Sequence, residues 1–115
     1  MPAATAAPER WSADSGARDV VRLDIPVDAL RKRSFEIDCR LVVRAGRAGA
    51  SHGMRVLVDG ALAWTRSVAT HPDGSDSLDL RLHRSVPAGR PLRLSATCDL
   101  HGAQRVSLRI SAEEV

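Results

Sequence analysis

Cys98 and His101 are the two residues whose types and spacing most resemble a metal-binding motif. A Cys-x-x-His spacing offers one thiolate and one imidazole to a single ion, and zinc sites use both ligand types. A tetrahedral site needs further ligands, for which the sequence offers only the distant Cys39 or His52. We predict a buried thiol at Cys98, a loop histidine at His101 and no cofactor, and keep a metal site at this pair as an alternative.

Other residue types that could catalyse a reaction lack a supporting pattern. The histidines stand at positions 52, 71, 83 and 101. Each has Ser or Asp nearby, but the Gly-x-Ser-x-Gly elbow of a serine hydrolase is absent. Asp73, Asp76 and Asp79 supply oxygen ligands at a spacing of three, without the closing Glu of a calcium loop, and the chain has no glycine-rich phosphate loop. We therefore predict that the protein is not an enzyme.

Arginines recur at the alternate positions of the last three strand-like segments. The candidate ligand-binding residues are Arg81, Arg93, Arg105, Arg109 and an exposed Trp64. If the three strands are neighbours, their arginines form one face that can bind phosphate or carboxylate through bidentate guanidinium bonds. The other interpretation is a solvated face whose arginines pair with aspartates across strands.

The clearest element that must position these residues is the segment 34–45. Its apolar residues occupy every second position, at Phe35, Ile37, Cys39, Leu41 and Val43. Charged residues take most of the positions between them, which is typical of a half-buried β-strand. A strand with one apolar face must pack on a second layer, so this segment predicts a core strand of a two-layer structure.

Asp59-Gly60 stands between two strand-like runs and predicts a tight hairpin. Both residues of a type I′ turn need positive φ, which Asp-Gly accepts. A two-residue loop pairs Arg55 with Trp64, which places Trp64 on the face opposite Val56. Apolar residues then lie on both faces of the hairpin, so we expect it to be internal or covered.

The remaining segments complete an all-β fold. Alternating patterns over residues 18–25, 78–83, 92–98 and 106–110 indicate short strands separated by Pro- and Gly-rich turns. We predict a two-layer antiparallel β-sandwich of the jelly-roll or Greek-key type with about seven to eight strands. Residues 1–16 are predicted to be a flexible N-terminal arm, and residues 17–115 the sandwich domain.

Composition limits the function classes. The net charge is +3, from sixteen Arg, one Lys and fourteen acidic residues. Because the acidic residues are interspersed with the arginines, no basic stripe forms, and nucleic acid is not a predicted partner. No stretch approaches the roughly 18 apolar residues of a membrane span. The start of the sequence lacks a Sec signal pattern, which predicts a cytoplasmic location, with a removed leader or a non-Sec route left open.

Cys39 and Cys98 both fall on apolar-face positions of predicted strands. In the cytoplasm we expect two reduced, buried thiols, while a disulfide between layers is the alternative for an exported protein. The leading functional hypothesis is a non-catalytic bacterial interaction module that binds another protein. The alternative is a glycan- or anionic-ligand-binding module that uses the arginine face and Trp64.

Overall fold

The computed structural model describes residues 7–115, which form a two-layer antiparallel β-sandwich of eight strands, as the sequence predicts. The strands are β1 (Arg10–Asp14), β2 (Val20–Ile25), β3 (Arg33–Ala45), β4 (Ser51–Val58), β5 (Ala61–Ala69), β6 (Ser75–Val86), β7 (Leu92–His101) and β8 (Ala103–Glu114). No helix in this part of the chain is long and apolar enough to cross a membrane.

Each sheet has four strands, and only one pair of neighbours is consecutive in the sequence. Sheet A has the order β1-β8-β3-β6, and sheet B has the order β2-β7-β4-β5. The β4–β5 hairpin turns at Asp59 and Gly60, whose φ angles of 51° and 81° confirm the predicted turn. All other pairs join strands that are distant in the sequence, so the connections between them cross from one sheet to the other.

Strand β3 supplies the centre of the core. Its residues alternate between buried and partly exposed, and Phe35, Ile37 and Leu41 have no exposed surface. Cys39 of sheet A and Cys98 of sheet B are both buried free thiols. The period-two pattern of residues 34–45 therefore describes the interior face of sheet A, as expected from the sequence.

The sequence predicts a flexible arm over residues 1–16, but Arg10–Asp14 within it form strand β1, which pairs with β8. Trp11 and Ala13 alternate with polar residues and pack against the core, and burial of this apolar surface stabilises the strand on the sheet edge. The sandwich thus begins earlier than predicted. Residues 1–6 of the predicted arm lie outside the described residues.

A cluster of charged residues joins several segments at one end of the sandwich. Arg33 donates from Nη1 to Glu9 Oε1 (2.9 Å) and from Nη2 to the carbonyl of Pro26 (2.8 Å). Arg31 contacts Glu9, Asp28 and Glu114. The cluster therefore ties both ends of the described chain to the β2–β3 connection.

Candidate functional site

The structure does not bring the predicted arginine face together. Strands β6 and β8 belong to sheet A, where β3 separates them, while β7 belongs to sheet B. Arg81 and Arg109 are exposed on the outer side of sheet A, and Arg93 is exposed on the outer side of sheet B. The two outer sides face in opposite directions, so these residues cannot hold one ligand jointly.

Arg81 forms ion pairs across the sheet. Its Nε lies 2.9 Å from Asp38 Oδ1 and 3.4 Å from Glu36 Oε1, both on β3. The Asp38 carboxylate, by hydrogen bonding and by charge, raises the pKa of Arg81. Arg109 lies directly across from Arg40, which is another cation. Arg81 therefore follows the other interpretation, an arginine paired with a carboxylate across strands, whereas Arg109 does not.

Arg105 points toward the core side because of a β-bulge. Ser107 is opposite Val42 and Arg105 is opposite Val43, so Val106 is an extra residue on β8. The Arg105 side chain is only 14% exposed and forms an ion pair with Asp19. Val106, predicted to face the core, is instead 57% exposed.

A second bulge reverses the predicted orientation of Trp64. Trp64 is opposite Val56 and Leu62 is opposite Leu57, which leaves Ala63 as the extra residue on β5. Trp64 therefore shares the core face with Val56, where it is partly buried and packs against the core. The predicted pairing of Trp64 with Arg55 is wrong for this reason.

Cys98 and His101 do not converge. Cys98 is buried between the sheets, and burial is the main cause that raises the pKa of its thiol. His101 is exposed, and its Nε2 lies 3.2 Å from Asp99 Oδ2. Within residues 7–115 no group of three or more His, Cys, Asp or Glu side chains is placed to hold a metal ion.

The side of the sandwich between β5 and β6 carries a partly exposed apolar surface. These two strands are the edges of sheets B and A on the same side of the molecule. Their inward-facing apolar side chains pack against the core but keep some exposed surface, and we call this surface the open side: Trp64, Val68, Leu80 and Leu82. Exposed apolar surface of this kind marks interaction sites in soluble proteins.

A cavity of about 330 Å³ lies at one end of the open side, where the start of β5 approaches the end of β6. We call it the notch, and its lining includes Leu62, Arg84, Val86, Pro87, Arg90 and Pro91. Leu62 is 59% exposed. The notch thus combines apolar residues with two arginines.

Three arginines along this side have no acidic partner. Arg66 of β5, and Arg84 and Arg90 at the notch, are exposed and form no ion pair with any residue in the described range 7–115. The one carboxylate at the notch, on Asp59, accepts a hydrogen bond from the backbone N–H of Arg93 (2.9 Å). This side therefore presents cations that are available to an anionic group.

The sequence contained one signal for this site, the apolar residues on both faces of the β4–β5 hairpin. Such a pattern indicates that the hairpin is covered, and in the structure its outer strand lies at a sheet edge with Leu62 exposed. Arg84 and Arg90 carried no signal, because their approach to β5 depends on how the two sheets stack.

No family model matches this chain, and no curated protein matches it in sequence. Among solved structures, it resembles a part of PorU from Porphyromonas gingivalis, with 13% identity, a TM-score of 0.58 and 88% of this chain covered. It also resembles a part of a chain of the infectious bursal disease virus particle, with 14% identity, a TM-score of 0.51 and 92% coverage. This chain spans only 10% and 31% of those two chains, and at such identities the likeness shows the fold alone.

Proposed function

We propose that this domain is a non-catalytic interaction module that binds another protein through the open side and the notch. The observation that carries the proposal is the partly exposed apolar surface shared by two edge strands, with Trp64 and Leu62 along it. Tryptophan and arginine are enriched where protein partners bind, and the apolar residues of such sites lie beside polar groups. The open side and the notch offer this combination together, with Trp64 on the open side and Arg84 and Arg90 at the notch.

The strand order supports the jelly-roll form of the sandwich in particular. The strand orders β1-β8-β3-β6 and β2-β7-β4-β5 support two Greek-key units that are shared between the sheets. In this arrangement sheet edges remain along both sides of the sandwich. A binding role for one of these sides is consistent with the bacterial accessory function expected from the sequence.

Binding of a glycan or other anionic ligand across one arginine face has less support. Its predicted residues are divided between the outer sides of two sheets, and Arg81 and Arg105 already have carboxylate partners. A thermal-shift panel of polyanions and oligosaccharides tests this alternative, because a ligand that binds only the folded state raises the Tm.

Photo-crosslinking tests the proposal directly. Leu62 is replaced by the photoreactive amino acid benzoylphenylalanine, and Val106, which is 57% exposed on the other sheet, is replaced in the same way as the matched control. In cells that naturally produce the protein, we expect one protein to be crosslinked from position 62 and not from position 106.

The captured protein is then purified and its Kd measured. We expect Leu62→Asp to weaken binding at least tenfold, while Val106→Asp leaves the Kd within twofold. Equal crosslinking from both positions, or no adduct from position 62, would overturn the proposal.

A further inference from the structure

Strand β5 differs from the other three sheet edges in its lack of protection. Strand β1 is short, β2 is short and carries Arg22 and Asp24, and β6 carries several charged residues. Strand β5 has nine residues, a single charge at Arg66 and no proline. Natural edge strands use charges, prolines, short length or β-bulges to prevent pairing with another chain. The bulge of β5 is confined to Ala63, so the regular stretch 64–69 is the part of this edge suited to receiving a strand.

We propose that the partner presents an extended acidic segment that adds to β5 as a fifth strand of sheet B. This inference rests on the proposed function and specifies its binding mode. The unpaired backbone N–H and C=O groups of an edge strand give affinity in such complexes, and side chains at alternate positions give specificity.

The charges on the open side favour an acidic segment. Arg66, Arg84 and Arg90 have no acidic partner within the described residues, and β5 itself contains no carboxylate. Guanidinium groups bind carboxylates through two parallel hydrogen bonds. Pairing of β5 with β5 of a second copy would bring a second Arg66 and no carboxylate to this edge, so an acidic strand from a different chain compensates these charges better.

The alternation of β5 beyond its bulge predicts a pattern for the added segment. Arg66 and Trp64 lie opposite Met54 and Val56, so both side chains point to the core face of the sheet. The bulge at Ala63 interrupts this alternation before Leu62, which lies opposite Leu57. An added strand that places an acidic residue beside Arg66 therefore places the residue two positions further along beside Trp64, where we expect an apolar side chain. A second acidic residue beyond the apolar one lies toward the notch arginines.

The test is selection of nine-residue random peptides displayed on phage against the folded full chain. We expect enriched peptides to contain the pattern acid-x-apolar, with a second acidic residue beyond the apolar one. The triple variant R66E/R84E/R90E should bind these peptides at least tenfold more weakly. The matched triple variant R22E/R44E/R109E changes three exposed arginines that lie away from β5 and the notch and should stay within twofold. Methylation of alternate backbone nitrogens of the peptide should weaken binding at least tenfold, because these N–H groups pair with β5.

Basic or unpatterned enriched peptides, or binding that is insensitive to backbone methylation, would overturn the inference. So would a dimer of the free protein in sedimentation that Arg66→Glu abolishes, since a second copy would then occupy the edge. A protein crosslinked from position 62 that binds without an acidic extended segment would refute the inference and leave the proposed function standing. Absence of any adduct from position 62 would refute the proposed function itself.

Discussion

Arg33 and Glu9 form an ion pair, with 2.9 Å between Nη1 and Oε1, in which the arginine side chain is only 1% exposed. Arg33 also lies over the Phe35 ring, 5.4 Å from its centroid, and its Nε has no hydrogen-bond partner among the described residues. Burial removes the guanidinium from solvent, which is costly unless a carboxylate pairs with its charge, so the buried Arg33 depends on Glu9.

Glu9→Ala should lower the free energy of unfolding by about 3–5 kcal/mol, because it leaves the buried Arg33 charge uncompensated. Glu113→Ala is the matched control, since Glu113 pairs with Arg10 at 3.8 Å on the exposed surface. We expect the control to cost about 0–1 kcal/mol. Urea denaturation at pH 7 measures both, and equal losses would show that the Arg33 pair contributes no more than a surface pair.

Acid should weaken the same cluster through Glu114. Hydrogen bonding from Arg31 is the largest cause that lowers the pKa of Glu114 below its usual 4.5. A carboxylate whose pKa is lower in the folded state stabilises the protein fully above its unfolded pKa, and this contribution is lost as the pH falls through the folded value. The stability difference between wild type and Glu114→Gln should be constant from pH 6 to 8 and shrink below about pH 4.5.

Arg31→Met is the check on that pH dependence, because it removes the cation that lowers the pKa. Denaturation curves at several pH values should show a smaller acid-dependent loss in this variant. A stability difference between wild type and Glu114→Gln that persists unchanged below pH 4 would contradict the assignment to Glu114.

The two thiols should be unreactive in the folded protein. Burial raises the pKa of Cys39 to about 12. Since the thiolate is the reactive form, only about one Cys39 in ten thousand is ionised at pH 8. Iodoacetamide at pH 8, followed by mass spectrometry, should modify Cys98 before Cys39, because Cys98 is 5% exposed and Cys39 is 1% exposed. Rapid labelling of Cys39 without denaturant would indicate that the core of sheet A opens readily.

Because of the bulge in β8, alanine substitutions of Leu41 and Val106 should differ clearly in their effect on the free energy of unfolding. Leu41→Ala should cost about 2–5 kcal/mol, because Leu41 has no exposed surface and its loss leaves a cavity. Val106→Ala should change stability by less than about 0.5 kcal/mol, because Val106 is 57% exposed. Urea denaturation of both variants tests the register, and the opposite order of losses would mean that Val106 faces the core as its sequence pattern suggested.

His52 and Thr70 form a buried polar pair that a double-mutant cycle can test. His52 has no exposed surface, its Nδ1 lies 2.7 Å from Thr70 Oγ1, and its Nε2 has no partner among residues 7–115. Thr70→Val should cost about 1–3 kcal/mol in the wild type, since the imidazole then lacks its one hydrogen bond. In the His52→Leu background the same change should cost clearly less, and equal costs would mean that the pair is not coupled.

The strands themselves were predictable because alternation is a local property of the sequence. Residues 34–45 show it, and β3 extends over Arg33–Ala45. The Asp59-Gly60 turn was predictable for the same reason, since its φ angles depend on those two residues alone. Strand β1 was missed because the surrounding Ala and Pro residues concealed the short alternation of Trp11 and Ala13.

The orientation of individual site residues was not predictable, because it depends on pairing between distant strands. One extra residue in each of β5 and β8 moves Trp64 and Arg105 to the core side, and neither bulge has a local sequence signal. Strand order likewise decides which arginines share a surface. An arginine face required the last three strands to be neighbours, and this condition is not met because β7 belongs to the other sheet.

The charged cluster around Arg33 also has a consequence for protein architecture. The backbone N–H of Glu114 donates to the carbonyl of Glu9 at 2.9 Å, so the chain enters and leaves the sandwich at the same point. A domain with this geometry can be carried in a surface loop of a larger protein without stretching its host. New ends could be cut at an exposed turn such as Gly74 while Glu9 and Glu114 are joined by a short linker.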